Sequence, residues 1–265
     1  MSYNLLKGKK GIVTGVLNEQ SIAWHVAKRA VEEGAEVLLT NTPMAIRFGT
    51  INQLAATINS PVVAADATSV SDLEHLVDTA MEHFGGQVDF VLHSIGMSPN
   101  IRKGIGYQEL NYDFYAKTLD ISAMSYHKLL QTLYKKDALC KGGSVVALSY
   151  IAGDRAMRGY GDMADAKAML QSITRNFGLI FAQEKGVRVN TVSQSPTMTT
   201  AGQGIEGMTE MIDTIDRISP LGNASAADCA DYVITLFSDL TRKITMQTLY
   251  SDGGYSSILP ISSEK

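Results

Sequence analysis

Three side chains between positions 150 and 167 can do chemistry together: Tyr150, Tyr160 and Lys167. Tyr160 and Lys167 are seven positions apart. On a helix that is close to two turns, so both project from one face. Tyr150 follows an apolar run, Ser144 to Leu148, that reads as the end of a buried strand. A phenol and an ammonium near a strand's carboxyl end form a proton-donating pair. The same residue types also suit a half-buried surface tyrosine and a solvated lysine. The surrounding elements decide between the two.

Those elements alternate. Lys10 to Thr14 is short and β-branched, then comes Gly15, a loop, and a helix-spaced run from Ser21 with Ile22, Val26, Ala30 and Val31 on one face. Ser21 is an N-cap candidate, Gly34 stops the helix, and AEVLLT is a second buried strand. This is a strand–turn–helix–strand unit. The G-x-G-x-x-G fingerprint is absent. Even so, Gly15 permits a sharp turn, and a helix beginning at Ser21–Ile22 offers free N–H groups and a hydroxyl to a pyrophosphate. The bland alternative is a plain turn between strand and helix. The second strand ends at Asn41–Thr42 without an acid. Asn41 or Thr42 can serve a ribose, and Arg47 suits either a 2′-phosphate or solvent.

Further along, PVVAADATS predicts a third strand ending at Asp66–Ala67, where a carboxylate and the next N–H suit an adenine ring. A helix over Ser71 to Phe84 and a fourth strand, VDFVLHSIG, lead to Ser94–Ile95–Gly96, where glycine allows close approach to a ligand. Met97 to Leu110 reads as irregular cover for a site. Asn111 to Tyr134 predicts one long helix, GGSVVALSY a fifth strand, Tyr160 to Glu184 a helix, and VRVNTVSQSP a sixth strand. Residues 197–207 are rich in Gly and Thr, as in a mobile loop. Helices over 208–217 and 226–239 and a last strand at LYSDGGYSS complete the chain. The alternation indicates an α/β protein whose parallel sheet is covered on both faces, in a single domain over 1–265.

Composition narrows the function. The 265 residues are 45% hydrophobic with a net charge of -4, which gives nucleic acid no basic face to bind. Cys140 and Cys229 make neither a disulfide framework nor a metal spacing, and the five histidines show no metal-like grouping. No apolar stretch has signal-peptide or bilayer length. A reducing, cytoplasmic compartment is expected, with no metal and no membrane partner.

At Gly15, Ser21-Ile22-Ala23, Asp66, His93-Ser94-Ile95-Gly96, Ser149 to Lys167, Val187-Arg-Val-Asn190 and Asp252-Gly-Gly254, the chain resembles the enoyl-[acyl-carrier-protein] reductases, a divergent branch of the short-chain dehydrogenases/reductases. The likeness spans nearly the whole chain. Ordinary members of the wider family carry Tyr-x-x-x-Lys and a serine thirteen residues before the tyrosine, where this chain has Ala147. The longer Tyr-to-Lys spacing and the second tyrosine mark the enoyl reductases. The resemblance implies a Rossmann-type doubly wound sheet, NADH as cofactor (with NADPH left open), and a trans-2-enoyl thioester on acyl carrier protein as substrate. It implies catalytic roles for Tyr150, Tyr160 and Lys167. Cofactor contacts fall to Gly15, Ser21, Ile22, Thr42, Asp66, Ala67, Ser94, Ile95, Gly96 and Lys167, and to Thr197, Met198, Thr199, Thr200 and Ala201. Substrate contacts fall to Ser98, Tyr150, Tyr160 and Ile205, with a substrate loop near 197–217. A homotetramer assembled through the long helices is implied as well. Departures include Met97 for an aromatic, Gly159 before Tyr160, Asp165 between Tyr160 and Lys167, and Ser193-Gln194-Ser195-Pro196. A carbonyl-reducing relative and a non-catalytic nucleotide-binding regulator are the competing readings. The absent serine weighs against the first, and the retained phenols and Lys167 against the second.

Overall fold

Along the central strands, successive apolar side chains face opposite ways, and this period of two builds two cores on one sheet. Val13, Leu39, Phe90, Leu92, Val146 and Val192 belong to one core. Their neighbours Ile12, Leu38, Val91, Val145, Ala147 and Val189 belong to the other. A strand buried on both faces needs helices on both sides, which is the property of a parallel sheet.

The computed structural model describes residues 2–200, 202 and 207–259. Seven strands, all parallel, form one sheet: β1 (Lys10–Thr14), β2 (Glu36–Asn41), β3 (Val62–Ala64), β4 (Val88–His93), β5 (Leu139–Ser149), β6 (Arg188–Gln194) and β7 (Thr248–Ser251), in the spatial order 3-2-1-4-5-6-7. Helices α1 (Ile22–Glu32), α2 (Pro43–Phe48), α3 (Ile51–Thr57), α4 (Val70–Phe84), α5 (Pro99–Arg102), α6 (Tyr112–Leu119), α7 (Ser125–Lys135), α8 (Gly161–Glu184), α9 (Met208–Ile218) and α10 (Ala226–Phe237) connect or follow them. α1 and α10 pack together against the first core, and α4, α7 and α8 cover the second. Among the described residues, no helix is long and apolar enough to cross a membrane. The α/β doubly wound sheet expected from the sequence is what forms.

The strand order reverses between β1 and β4. A crevice opens there at the carboxyl ends of the strands, the recurrent ligand position in such sheets. Gly15, after β1, has φ +85, and a Cβ on it would sit 1.9 Å from the Ser94 carbonyl oxygen. Glycine is required here because two backbones touch. Ser94 N–H donates to Thr14 Oγ1 at 3.2 Å and ties the two strand ends together.

Four elements differ from expectation. The single helix predicted over 111–134 is two α-helices joined by a π-helical turn, Asp120–Met124. The third strand stops at Ala64, because the Asp66 carboxylate turns back to accept from Thr68 N–H and Thr68 Oγ1. The stretch 97–110 holds the short helix α5 and a 3-10 turn at Tyr107–Glu109. Helix α2, which periodicity does not announce, forms because Thr42 caps it and Pro43 opens it.

Gly11 lies in β1 beside Phe90, whose ring stacks on Phe237 at 4.5 Å. A Cβ on Gly11 would come within 2.1 Å of the Phe90 ring. We expect Gly11→Ala to destabilise the fold by about 1–3 kcal/mol through overpacking. Thermal unfolding checks this, and an unchanged midpoint would contradict it.

Candidate active site

The reactive residues converge because β5 and α8 deliver them to one cleft. Tyr150 stands directly after β5, and Tyr160 occupies the N-cap position of α8. Lys167 lies in the second turn of that helix. All three line a cleft of about 780 Å³ at the carboxyl edge of the sheet, a size that takes a sizeable organic ligand. The phenol rings of Tyr150 and Tyr160 are 4.9 Å apart, tilted by 40°. Ile151, Ala152 and Met163 pack with them, and Ile101 and Tyr255 close the cluster.

Burial sets the electrostatics. Burial holds the Tyr160 phenol well above its usual range, with the neighbouring Tyr150 adding to the effect. Burial also pushes Tyr150 up to about 12. Both phenols are therefore protonated at neutral pH and have a hydrogen to donate. The Lys167 ammonium, 6% exposed, is pushed down to about 8 by burial. It donates to the Leu148 carbonyl at 2.8 Å. Gly96 leaves space beside it: a Cβ there would meet Met163 Cε at 3.3 Å and Lys167 Nζ at 3.9 Å.

His93, at the end of β4, is fully buried and pushed down to about 3 by burial, with the Lys167 charge contributing. Its Nε2 lies 2.9 Å from Ser125 Oγ, whose proton goes to the Ile121 carbonyl. Nε2 must then carry the hydrogen of a neutral ring. In this arrangement the ring ties the end of β4 to Ser125 at the start of α7.

Most of the expected contacts reach the cleft. Gly15, Ser21, Ile22, Thr42, Asp66, Ala67, Ser94, Ile95, Gly96, Ser98, Thr197, Thr199 and Thr200 all line it. Ser21 has N-cap backbone geometry, but its hydroxyl does not cap α1; it accepts from Leu17 N–H and Asn18 N–H, both at 3.1 Å, and shapes the turn instead. Asn41 is spent locally, donating to the Val16 carbonyl and accepting from Thr42 N–H. Met198 does not line the cleft. Thr199 N–H closes a tight turn onto the Thr197 carbonyl at 2.8 Å, with Met198 at its apex. Ala201 and Ile205 lie outside the described residues.

The residues that sequence reasoning missed are those that brace the cleft. Ser122, in the π turn, accepts from Met97 N–H at 3.0 Å and also bonds the Met97 carbonyl. Asp162 is buried and gathers Ser98, Asn100 and Thr118. A polar residue on the inward face of α8 was the available signal.

The cleft suits a dinucleotide on the chain's own geometry. The first turn of α1 borders it, Gly96 keeps room beside a buried ammonium, and no acid at the end of β2 opposes a second phosphate. A parallel sheet with this switch-point cleft and a buried tyrosine–lysine pair defines a nucleotide-dependent oxidoreductase of the short-chain type. Residues 15–256 match the family model described as enoyl-(acyl carrier protein) reductase. The chain is 32% identical over 255 residues to the enoyl-[acyl-carrier-protein] reductase [NADH] 2 of Rhizobium meliloti, covering 95% of this chain and 93% of that protein. The solved FabI–NADH complex from Alistipes finegoldii is 66% identical, with a TM-score of 0.95 over 97% of this chain and 90% of that one. The Bacillus cereus enoyl-acyl carrier protein reductase, solved with NADP+ and an indole naphthyridinone, is 27% identical with a TM-score of 0.90, covering 96% of this chain and 98% of that one. This chain belongs to the enoyl-[acyl-carrier-protein] reductase family.

If the Lys167 ammonium holds the cofactor, affinity should depend on its charge. Deprotonation above about 8 removes the ammonium. Cofactor affinity should then fall as pH rises through that value, by up to about tenfold per unit. Lys167→Met should bind weakly, with a flat profile. Titration of cofactor fluorescence across pH 6.5–9.5 checks this, and a flat wild-type profile would remove the contact.

Proposed function

We propose that this chain reduces the trans-2 carbon–carbon double bond of enoyl thioesters carried on acyl carrier protein, with NADH as hydride source, in bacterial type II fatty-acid elongation. The observation that carries this reading is the pair of protonated phenols that line one cleft with Lys167, together with Ala147, which stands where a carbonyl reductase has its serine. A bound nicotinamide supplies the hydride that reaches the β-carbon. Negative charge then grows on the thioester oxygen. Tyr160 donates a hydrogen bond to that oxygen and stabilises the enolate as it forms. Tyr150 walls the acyl side of the same chamber, its hydroxyl 3.5 Å from Met211 Sδ on α9. Lys167 holds the nicotinamide ribose and keeps a positive charge near the phenols. A ketone reductase must leave a proton on oxygen. Here the proton ends on the α-carbon, so transient stabilisation suffices and the serine is dispensable.

Thr197, Thr199 and Thr200 serve the nicotinamide and pyrophosphate, and Asp66 with Ala67 the adenine. The backbone at Ser98 meets substrate. The segment 197–217, whose Met208 borders the cleft, acts as the substrate loop. Exposed apolar residues on α6 and α8, namely Tyr112, Leu179 and Ile180, support assembly as a homotetramer. A cytoplasmic location suits the two unpaired cysteines.

Purified protein should oxidise NADH with crotonyl thioester and leave acetoacetyl thioester untouched. NADPH run in parallel measures the preference. Turnover of acetoacetyl thioester alone would move the chain to carbonyl reduction, and cofactor binding without turnover of either would make it a regulator. Tyr160→Phe should lower kcat roughly 10²- to 10³-fold while cofactor affinity stays within about twofold. Unchanged turnover would sink the role given to this phenol.

A further inference from the structure

Asp162 is fully buried, and among the described residues it has no cationic partner. Its carboxylate is held by neutral groups alone. Ser98 Oγ lies 2.6 Å from Oδ1, while Asn100 Nδ2 and Thr118 Oγ1 each lie 2.7 Å from Oδ2. Each partner comes from a different place or is itself braced. Ser98 leads out of β4, and its hydroxyl accepts from Ile101 N–H at 3.0 Å. Asn100, also fully buried, reads Asn111 through both its amide atoms. Thr118 belongs to α6. One side chain thus joins the floor of the cleft, a neighbouring helix and the first turn of α8.

A purely structural purpose explains this badly. An uncompensated buried carboxylate is costly, and an apolar side chain of similar volume often stabilises as well or better. What distinguishes position 162 is its neighbour. Tyr160 precedes it by two residues, and the residue between is Gly161 at φ +46. That left-handed joint gives the tyrosine a backbone hinge with no side chain to stiffen it. Ile101, whose N–H is fixed through Ser98, packs on the Tyr150–Tyr160 cluster, and its Cγ1 lies 3.5 Å from where a Cβ on Gly161 would stand.

We propose that Asp162 is the positioning residue for Tyr160: by locking the first turn of α8 to Ser98, Asn100 and Thr118, it fixes the hinge at Gly161 and so aims the phenol at the substrate oxygen. This rests on the reading of Tyr160 as the hydrogen-bond donor. Asp162 does not line the cleft. Its effect on kcat should therefore pass through Tyr160, and any disturbance of the Ser98 backbone it also holds would appear in KM instead.

A double-mutant cycle separates this from a general effect on folding. Asp162→Asn keeps the shape but turns an NH2 toward groups that themselves donate. It should lower kcat with crotonyl thioester by roughly 10- to 100-fold, with KM and cofactor affinity each within about threefold. In a Tyr160→Phe background the same change should cost less than about threefold, because no phenol remains to be aimed. Thr118→Val removes one hydroxyl, shared between Asp162 and the Phe114 carbonyl of its own helix, at nearly constant volume. It carries the test if Asp162→Asn does not fold, with a smaller loss of kcat and the same non-additivity. Near-UV circular dichroism of the paired phenols gives a readout free of turnover: Asp162→Asn should alter the tyrosine band in the wild-type background and leave it unchanged in Tyr160→Phe. An equal loss of kcat in both backgrounds, or a loss matched by weaker cofactor binding, would overturn the proposal. A wild-type protein inactive on crotonyl thioester would instead overturn the proposed function, and an active Tyr160→Phe would overturn the tyrosine's role; the dichroism cycle judges Asp162 in either case.

Discussion

An ammonium group buried at the floor of the cleft is the constraint on which this site depends. Lys167 must keep a charge where burial opposes it, so its surroundings have to supply dipoles. The Leu148 carbonyl does so, and it is available because β5 ends one residue later, at Ser149. The chain then turns, and the same turn presents Tyr150. Helix α8 must pass close enough for Lys167 to reach that carbonyl. This passage in turn sets Tyr160 at the helix's N-terminal edge. The Lys167 charge adds to the effect of burial in keeping His93 neutral, and the open space at Gly96 lies beside it.

Much of this was legible in the chain itself. β1 runs over the residues its β-branched pattern indicates, and α8 begins one residue after the predicted start. Gly15 was readable because a glycine after a first strand has one recurrent use, and here a carbonyl 1.9 Å from its would-be Cβ enforces it. The convergence of Tyr160 and Lys167 was readable because spacing on a helix is local information. Asp162, Ser122 and Asn41 were not. Each is defined by a partner at least 25 positions away in sequence, and no period in the chain encodes such a pairing. The position of Met198 was not legible for a different reason: the tight turn closed by Thr199 N–H on the Thr197 carbonyl is not announced by a linear reading of 197–201.

The adenosine end of the cleft shows how a missing acid is absorbed. β2 closes with Asn41 and Thr42, and both turn their polar atoms to local structure rather than outward. Thr42 caps α2, whose Met44 and Phe48 remain exposed at the cleft margin, with the Arg47 guanidinium 5.4 Å over the Phe48 ring. Apolar surface stands where a carboxylate would otherwise face a ribose. The edge is thereby neutral toward a 2′-hydroxyl and not repulsive toward a 2′-phosphate.

The π turn at Asp120–Met124 divides the work of one long rod. One extra residue in a helix rotates everything beyond it by about 100°. Before the turn, Thr118 faces Asp162; within it, Ser122 clasps Met97; after it, Tyr126, Leu129 and Leu133 fill the second core. A regular helix would have to meet all these demands with a single phase. The extra residue acts as a phase shifter, so substitutions that retune the half bordering the cleft need not disturb the half that carries the core. Insertions or deletions of one residue in this rod are a different matter: each would rotate one half out of alignment with the other, making length, more than composition, the property this segment must preserve.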